Sequence, residues 1–203
     1  MYLDRFVAQL RDIYHEQGGV FRPDINAVNL IGVRRPNTDQ DEFDDHLYMV
    51  WKDVKGRNEL RVFALTTEPG KKALVSPVNS QGTFMLANGF HRDLWEKGLH
   101  KGRYAALTQA GQARGWRDND RDTQYDFDKS QTFEAWGINL HTTRETEGYF
   151  FNSVGNWSHG CQVLKHPNDL HQVLYRCDID SHTNGTRTWH YLLVDDTDFE
   201  AIL

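Results

Sequence analysis

The sequence is poor in several features that would place the chain in a specialised class. Five prolines in 203 residues exclude a proline-rich linker. Two cysteines exclude a disulfide-stapled scaffold, and we expect Cys161 and Cys177 to be free thiols and not a bridge. No apolar run approaches the roughly 20 residues that a membrane-spanning helix needs. Basic residues are outnumbered, 23 against 29 acidic ones, and are scattered, so we expect no nucleic-acid partner.

What remains is the composition of an ordinary globular protein. The chain is 38% hydrophobic and 26% charged, with a net charge of −6, which is enough apolar material for a sizeable core. We predict a single domain over residues 1–203, and a monomer. The first residues indicate an amphipathic helix and not a basic segment followed by an apolar one. We therefore expect synthesis in the cytoplasm without a signal peptide, and no transmembrane segment.

Hydrophobic periodicity predicts a mainly β (α+β) chain with a few helices. Apolar residues at helical spacing, ended by Gly18-Gly19, predict an N-terminal helix over 2–17. A short helix is predicted over about 168–177, and the acidic stretch 35–45 is predicted to be an exposed loop. Strand-like runs occupy the following ranges: 27–34, 46–53, 59–67, 83–88, 103–109, 112–116, 135–141 and 188–194.

The residues with the most chemistry fall in a core that we predict over 136–165. His141 ends a strand-like run, and the tetrapeptide Ser158-His159-Gly160-Cys161 follows a Gly-containing loop. A turn of this kind can present a sulfur beside two backbone N–H groups, which suits a thiolate nucleophile with an oxyanion hole. Two adjacent antiparallel strands would bring the imidazole of His141 to the sulfur of Cys161. A purely structural cysteine and histidine remain an alternative, and zinc binding by His141, His159 and Cys161 lacks the usual closed-site spacing.

This pattern resembles the signature of the L,D-transpeptidase (YkuD-type) catalytic domain, which is a histidine, a loop and then Ser/Thr-His-Gly-Cys. The resemblance is specific over about residues 136–165. Other stretches, among them FDDHLYMVWKD and WRDNDRD, resemble a phage-like subgroup of proteins. The resemblance implies a β-sandwich or barrel with an N-terminal helix and a short helix after the cysteine. It also implies a cysteine enzyme that acts on peptidoglycan stem peptides and requires no cofactor.

Carried to this chain, the resemblance implies Cys161 as the nucleophile and His141 as the base. The backbone N–H groups of Gly160 and Cys161 would form the oxyanion hole, and the carbonyl of Thr142 would orient His141. His159 would line the site, or as an alternative only shape the turn. We expect four further residues to contact the substrate: Ser158, Trp157, Tyr104 and His100. The last two lie in a loop-like, glycine-flanked segment, where a packing role is the alternative.

The chain departs from the family pattern directly after the nucleophile. Gln162-Val163 stands where an aliphatic residue followed by Arg or Asn is usual, and Thr142 replaces a glycine. We expect a cysteine-dependent hydrolase of peptidoglycan stem peptides, a carboxypeptidase or endopeptidase of the phage-lysin or secreted wall-degrading kind, which acts in the periplasm or cell wall after release. An L,D-transpeptidase, a catalytically silent peptidoglycan-binding or virion structural module, and a thiol protease acting on proteins are alternatives.

A second candidate site is an acidic stretch that fits a calcium loop in part. Four carboxylates fall at the first, third, fifth and ninth positions of such a loop: Asp118, Asp120, Asp122 and Asp126. Thr123 stands where a glycine is expected, and Lys129 where a bidentate glutamate belongs. The sequence therefore suggests calcium as an optional ligand, with a solvated acidic turn as the alternative.

Overall fold

The computed structural model describes residues 2–35, 41–143 and 151–197, and over these ranges the chain is mainly β with three helices. The helices are α1 (Tyr2–Glu16), α2 (Lys71–Val75) and α3 (Pro167–Asn184). The strands are β1 (Asn29–Arg34), β2 (Asp45–Lys52), β3 (Asn58–Thr66), β4 (Thr83–Leu86), β5 (Gly89–His100), β6 (Tyr104–Gln109), β7 (Ala113–Asp118), β8 (Phe133–Ala135), β9 (Leu140–Thr142), β10 (Gln162–Leu164) and β11 (Thr188–Asp195). The predicted mainly β class is confirmed.

Eight of the strands close into a barrel in the order β1-β11-β5-β6-β9-β10-β3-β2. Most neighbours are antiparallel, but β1 pairs with β11 and β9 pairs with β10 in parallel. The other three strands form a small antiparallel sheet in the order β4-β7-β8. The parallel β9–β10 pair matters most for function, because the candidate base and nucleophile lie on it or next to it.

Helix α1 covers the outside of the barrel at β1. Its apolar residues recur at helical spacing and bury one stripe, which includes Phe6, Leu10 and Tyr14. Strand β1 is consequently buried on both faces: Leu30 packs into the barrel interior, and Ile31 packs into the cluster beneath α1. The helix ends at Glu16, within one residue of the prediction.

Helix α3 follows the candidate nucleophile and is longer than predicted, ending at Asn184 instead of residue 177. The extension was missed because the second half of α3 buries a carboxylate where a core residue would be apolar. Asp180 is fully buried and forms a two-pronged ion pair with Arg22, and it also accepts the Nε1–H of Trp189. Gly185, with φ of 70°, caps the helix in the left-handed conformation.

Several expectations from the sequence are corrected or completed. Strand β5 was not predicted, because its charged outer face hides the alternation that identifies a strand. His100 ends β5 and Tyr104 begins β6, so the prediction of a loop-like segment around them is wrong, and only residues 101–103 form the turn. The predicted loop 35–45 and the predicted core 136–165 lie partly outside the described residues. Both cysteines are free thiols, as predicted.

Among the described residues, none of the helices is both long and apolar enough to cross a membrane.

Candidate active site

The parallel pairing of β9 and β10 places the candidate base and nucleophile on one face of the sheet. His141 is paired with Val163, and the N–H of Gln162 donates to the carbonyl of Asn139. Because side chains alternate along a strand, Cys161 and Val163 lie on the face that carries Asn139 and His141. The antiparallel arrangement predicted from the sequence is wrong. A parallel pair requires a crossover of about a dozen residues or more, which the stretch 143–161 is long enough to supply.

The side chain of Gln162 lies on the opposite face, inside the barrel. It is fully buried, its Oε1 accepts the hydroxyl of Tyr191 at 2.8 Å, and its Nε2 lies 3.5 Å from the carbonyl oxygen of Thr67. The polar residue that departs from the family pattern after Cys161 is therefore satisfied within the core. It leaves the chemistry of the other face unchanged.

His141 is held in the tautomer that a general base requires. Its Nδ1 lies 2.8 Å from the carbonyl oxygen of Thr142 and 3.1 Å from the hydroxyl of Tyr104, which itself donates to that carbonyl. Since a carbonyl only accepts hydrogen bonds, the bonding assigns the ring proton to Nδ1 and a lone pair to Nε2. Nε2 is buried and has no hydrogen-bond partner among the described residues. Its lone pair is available to take a proton.

A second imidazole stacks on the first. The rings of His100 and His141 are 3.9 Å apart at their centroids, with an interplanar angle of 21°. The backbone N–H of Gln109 donates to Oδ1 of Asn139, so the amide nitrogen of Asn139 faces Nδ1 of His100 at 3.0 Å. His100 therefore carries its proton on Nε2. Asn139 was missed from the sequence, although its position two residues before His141 places both on the same strand face.

The thiol and both imidazoles are neutral at physiological pH. Burial, with a smaller contribution from the neighbouring His100, lowers the pKa of His141 to about 3. Burial also lowers the pKa of His100 to about 4, with a smaller contribution from the charge of Lys101. The pKa of Cys161 is raised by burial, although a hydrogen bond from the Asn139 N–H and the charge of Lys101 oppose that shift. At rest the pair is a thiol and an imidazole, and not a thiolate and an imidazolium.

This charge state predicts how Cys161 reacts with iodoacetamide. Because only the thiolate reacts, the alkylation rate is expected to rise about tenfold per pH unit between about pH 7 and pH 9. The rate is measured by mass spectrometry of the Cys161 peptide, and the fully buried Cys177 serves as the internal control for unfolding. A rate that is already at its plateau below pH 7 would reveal a preformed thiolate and contradict the neutral pair.

The turn before Cys161 is shaped by Ser158. The Ser158 hydroxyl donates to the carbonyl of Cys161 at 2.8 Å and accepts the N–H of Gly160 at 3.2 Å. Gly160 has φ of 120°, and a Cβ there would lie 2.8 Å from the carbonyl oxygen of Phe84, so only glycine fits. Since the Gly160 N–H is already bonded to Ser158, it reaches a substrate oxyanion only if that bond is released.

The thiol of Cys161 is hydrogen-bonded to the backbone and not to His141. The thiol donates to the carbonyl of Gly137 at 3.2 Å, and the N–H of Asn139 lies 3.5 Å from the sulfur. Nε2 of His141 and the thiol are not hydrogen-bonded to each other. Direct proton transfer to His141 therefore requires the thiol to leave its hydrogen bond to Gly137.

Cys161 opens onto a groove of about 880 Å³. Three of the predicted residues line it: His100, Trp157 and His159. His159 is half-buried and is held by a contact of 2.8 Å between its Nε2 and Oδ1 of Asn156. Of the other predicted residues, Ser158 and Thr142 are buried in the wall, and Tyr104 stands behind it against His141. Ser158 and Tyr104 therefore act on the site through their neighbours.

The groove also has lining residues that sequence reasoning missed. Trp136 lines it and is 77% exposed. Two cations, Lys101 and Arg117, and one anion, Glu134, complete the charged part of the lining. These three come from the β5–β6 turn and from the small sheet, so nothing local in the sequence connects them with Cys161.

The acidic stretch folds so that three of the four predicted carboxylates come together. One oxygen from each of Asp118, Asp120 and Asp126 lies within 4.8 Å of the others. Asp122 is not part of this cluster, and its Oδ1 accepts the N–H of Gln124. Burial, together with smaller contributions from the neighbouring carboxylates, raises the pKa of Asp118 to about 6. Within the described ranges, the residues considered for zinc form no comparable cluster.

Comparison of the chain with protein-family models, curated proteins and solved structures gave no match.

Proposed function

We propose that the protein is a cysteine-dependent hydrolase of peptidoglycan stem peptides. One observation carries the proposal: Cys161 and His141 share a face of paired strands, and Nε2 of His141 is unprotonated and has no hydrogen-bond partner among the described residues. A nucleophile and a general base oriented by a third group, here the carbonyl of Thr142, use groups of these types, and the proposal requires Cys161 and His141 to come into hydrogen-bond contact during the reaction. The peptidoglycan substrate is inferred from the resemblance of the Ser158–Cys161 motif.

In the proposed mechanism, Nε2 of His141 takes the thiol proton as the sulfur of Cys161 attacks a stem-peptide carbonyl, preferably that of diaminopimelate. A tetrahedral oxyanion forms. The imidazolium then donates the proton to the leaving amine, which is D-alanine or the cross-linked partner stem, and the C–N bond breaks to give a thioester. Water, deprotonated by the same nitrogen, attacks the thioester carbonyl, and the C–S bond breaks to release the shortened stem as a carboxylic acid. The imidazolium returns its proton to the sulfur of Cys161.

A neutral resting pair is compatible with this sequence of steps. The base must be unprotonated before attack, and the depressed pKa of His141 keeps it so down to mildly acidic pH. Negative charge that develops on the sulfur and the substrate oxygen raises the affinity of the imidazole for the proton. Proton transfer is therefore coupled to attack and does not precede it.

The composition of the groove suits a stem peptide attached to a sugar. Trp136 and Trp157 offer aromatic surface to apolar faces of a ligand. Lys101 and Arg117 supply positive charge for the carboxylates that stem peptides carry, and Glu134 can accept the amino group of a diaminopimelate side chain. These three charges support a zwitterionic peptide better than an extended apolar one.

The proposal is tested by incubating purified muropeptides that carry tetrapeptide stems with the protein and analysing the products by mass spectrometry. Loss of the terminal D-alanine, or opening of cross-links, is the expected result and would name the bond cleaved. New cross-links or an exchanged terminal residue would instead identify an L,D-transpeptidase. For a hydrolase we propose action in the periplasm or cell wall, after lysis or secretion.

A second candidate is a catalytically silent module that binds peptidoglycan. Two hydrogen bonds favour this candidate, because they use groups that catalysis would need. The thiol of Cys161 donates to the carbonyl of Gly137, and the N–H of Gly160 donates to the hydroxyl of Ser158. Such a module would sediment with isolated sacculi and leave their muropeptide composition unchanged. Sedimentation with a Cys161-dependent change in composition would exclude it.

A further inference from the structure

We propose that Asp118, Asp120 and Asp126 bind a calcium ion at the start of the connection between β7 and β8. The three carboxylates bring one oxygen each within 4.8 Å of the others. Asp120 and Asp126 are exposed, so their oxygens are accessible from solvent, whereas Asp118 is only 5% exposed and closes the base of the cluster. This site is separate from the proposed chemistry of Cys161 and does not depend on it.

A second observation points to a cation and not to a solvated acidic turn. Oδ2 of Asp118 is buried and has no hydrogen-bond partner among the described residues. Directly opposite Asp118 in the β4–β7 ladder is Thr83, whose Oγ1 is also buried and unpartnered within those residues. Opposed residues of an antiparallel pair have Cβ atoms about 5 Å apart. Two buried oxygens without partners are costly, and both are groups that calcium accepts as ligands.

The nearby basic side chains do not neutralise the cluster. Arg117 donates to the carbonyl of Gly82 and lies over the ring of Phe84, and Lys129 lies over the ring of Trp116 with 4.9 Å between its Nζ and the centroid. Over the described part of the chain, neither Asp118 nor its two partners forms a salt bridge. The negative charge of the cluster therefore remains available for a bound cation.

The donor set and its spacing favour calcium among the common metal ions. Every candidate ligand is an oxygen, which disfavours zinc. Calcium–oxygen distances allow two ligands on opposite sides of one ion to be about 4.6–5.2 Å apart, whereas magnesium restricts them to about 4.0–4.2 Å. The upper limit of 4.8 Å for this cluster lies within the calcium range, and calcium also accepts irregular coordination, whereas magnesium requires a near-ideal octahedron. Water would complete the coordination on the exposed side.

Calcium at this site would fix a segment that is connected by hydrogen bonds to the turn before Cys161. Between Asp118 and Asp126 the chain reverses, and the adjacent Tyr125 donates its hydroxyl to the carbonyl of Pro69 at 2.7 Å. The N–H of Gly70, the next residue, donates to the carbonyl of Ser158 at 3.1 Å. Fixing the acidic segment therefore stabilises the folded protein and not only the loop.

The test uses the full chain, treated with a chelator and then titrated with calcium chloride in a calorimeter, together with thermal unfolding. The wild-type protein is expected to bind one calcium ion with a dissociation constant on the order of 10⁻⁴ M. At about 10 mM calcium its melting temperature is expected to rise by about 6 °C over a sodium chloride control of equal ionic strength.

Three exposed positions supply variants that fold like the wild type. Asp120→Asn and Asp126→Asn are each expected to weaken calcium binding at least about tenfold. Asp122→Asn is the matched control, since Asp122 belongs to the same segment but not to the cluster, and its affinity is expected to stay within about threefold of the wild type. Absence of a calcium-dependent melting shift in the wild type, or equal losses in all three variants, would overturn the proposal.

Discussion

Replacing Cys161 with alanine is expected to lower the rate of stem-peptide cleavage by about 10⁴-fold or more. The sulfur is the atom that forms the covalent bond, so its removal eliminates the thioester route and leaves only substrate binding. The effect falls on kcat, because the groove walls that bind the stem, among them Trp136 and Trp157, are unchanged. The measurement is product formation from a purified tetrapeptide muropeptide, with the dissociation constant of the same ligand determined on the variant.

Cys177→Ala is the matched control for this substitution. Cys177 is fully buried in α3 and lies in the barrel core, so its loss is expected to cost about 1 kcal/mol of unfolding free energy while the rate stays within a few-fold of the wild type. Wild-type activity in the Cys161→Ala protein would exclude Cys161 as the nucleophile. Equal losses in both cysteine variants would attribute the effect to instability.

Replacing His141 with glutamine is expected to lower kcat by about 10² to 10⁴-fold. The glutamine amide cannot accept the thiol proton as Nε2 of His141 does, although it can still contact the carbonyl of Thr142. Because the imidazoles of His141 and His100 are both neutral in the wild-type protein, the loss is expected across the whole range from about pH 5 to pH 8. It is measured by the pH dependence of kcat/KM. Thermal unfolding of the variant verifies that the buried site remains folded.

Tyr104→Phe separates the proton-accepting role of His141 from its orientation. The phenylalanine ring retains the packing but removes the hydroxyl that lies 3.1 Å from Nδ1, while the bond from Nδ1 to Thr142 remains. We expect a loss of about tenfold or less, well short of that in His141→Gln. If His141→Gln cost no more than Tyr104→Phe, His141 would not be the base.

The parts of the fold that could be predicted are those governed by local periodicity. Helix α1 is identified by one apolar stripe ending at a glycine pair, and β11 by an apolar run after the turn at Asn184-Gly185. Residues 158–161 could be singled out because the tetrapeptide Ser158-His159-Gly160-Cys161 is recognisable from the sequence alone. In each case the deciding interaction lies within a few residues or in the shape of the backbone itself.

The parts that could not be predicted depend on contacts between distant segments. The parallel pairing of β9 with β10 is decided by the whole barrel order, which the residues flanking His141 do not encode. The length of α3 depends on the ion pair of Asp180 with Arg22, more than 150 residues away in sequence. Lys101 and Arg117 reach the groove from separate sheets. The contribution of such residues to the site can be recognised only in the folded structure.

The central claim, that Cys161 forms a thioester with a stem peptide, is tested most directly by intact-protein mass spectrometry. The protein is mixed with a tetrapeptide muropeptide and quenched in acid within the first turnovers. We expect the wild-type mass to increase by the stem fragment that remains after the terminal residue has left, with the modification located on Cys161. Products that accumulate without any adduct, or an adduct that also forms on Cys161→Ala, would contradict the claim.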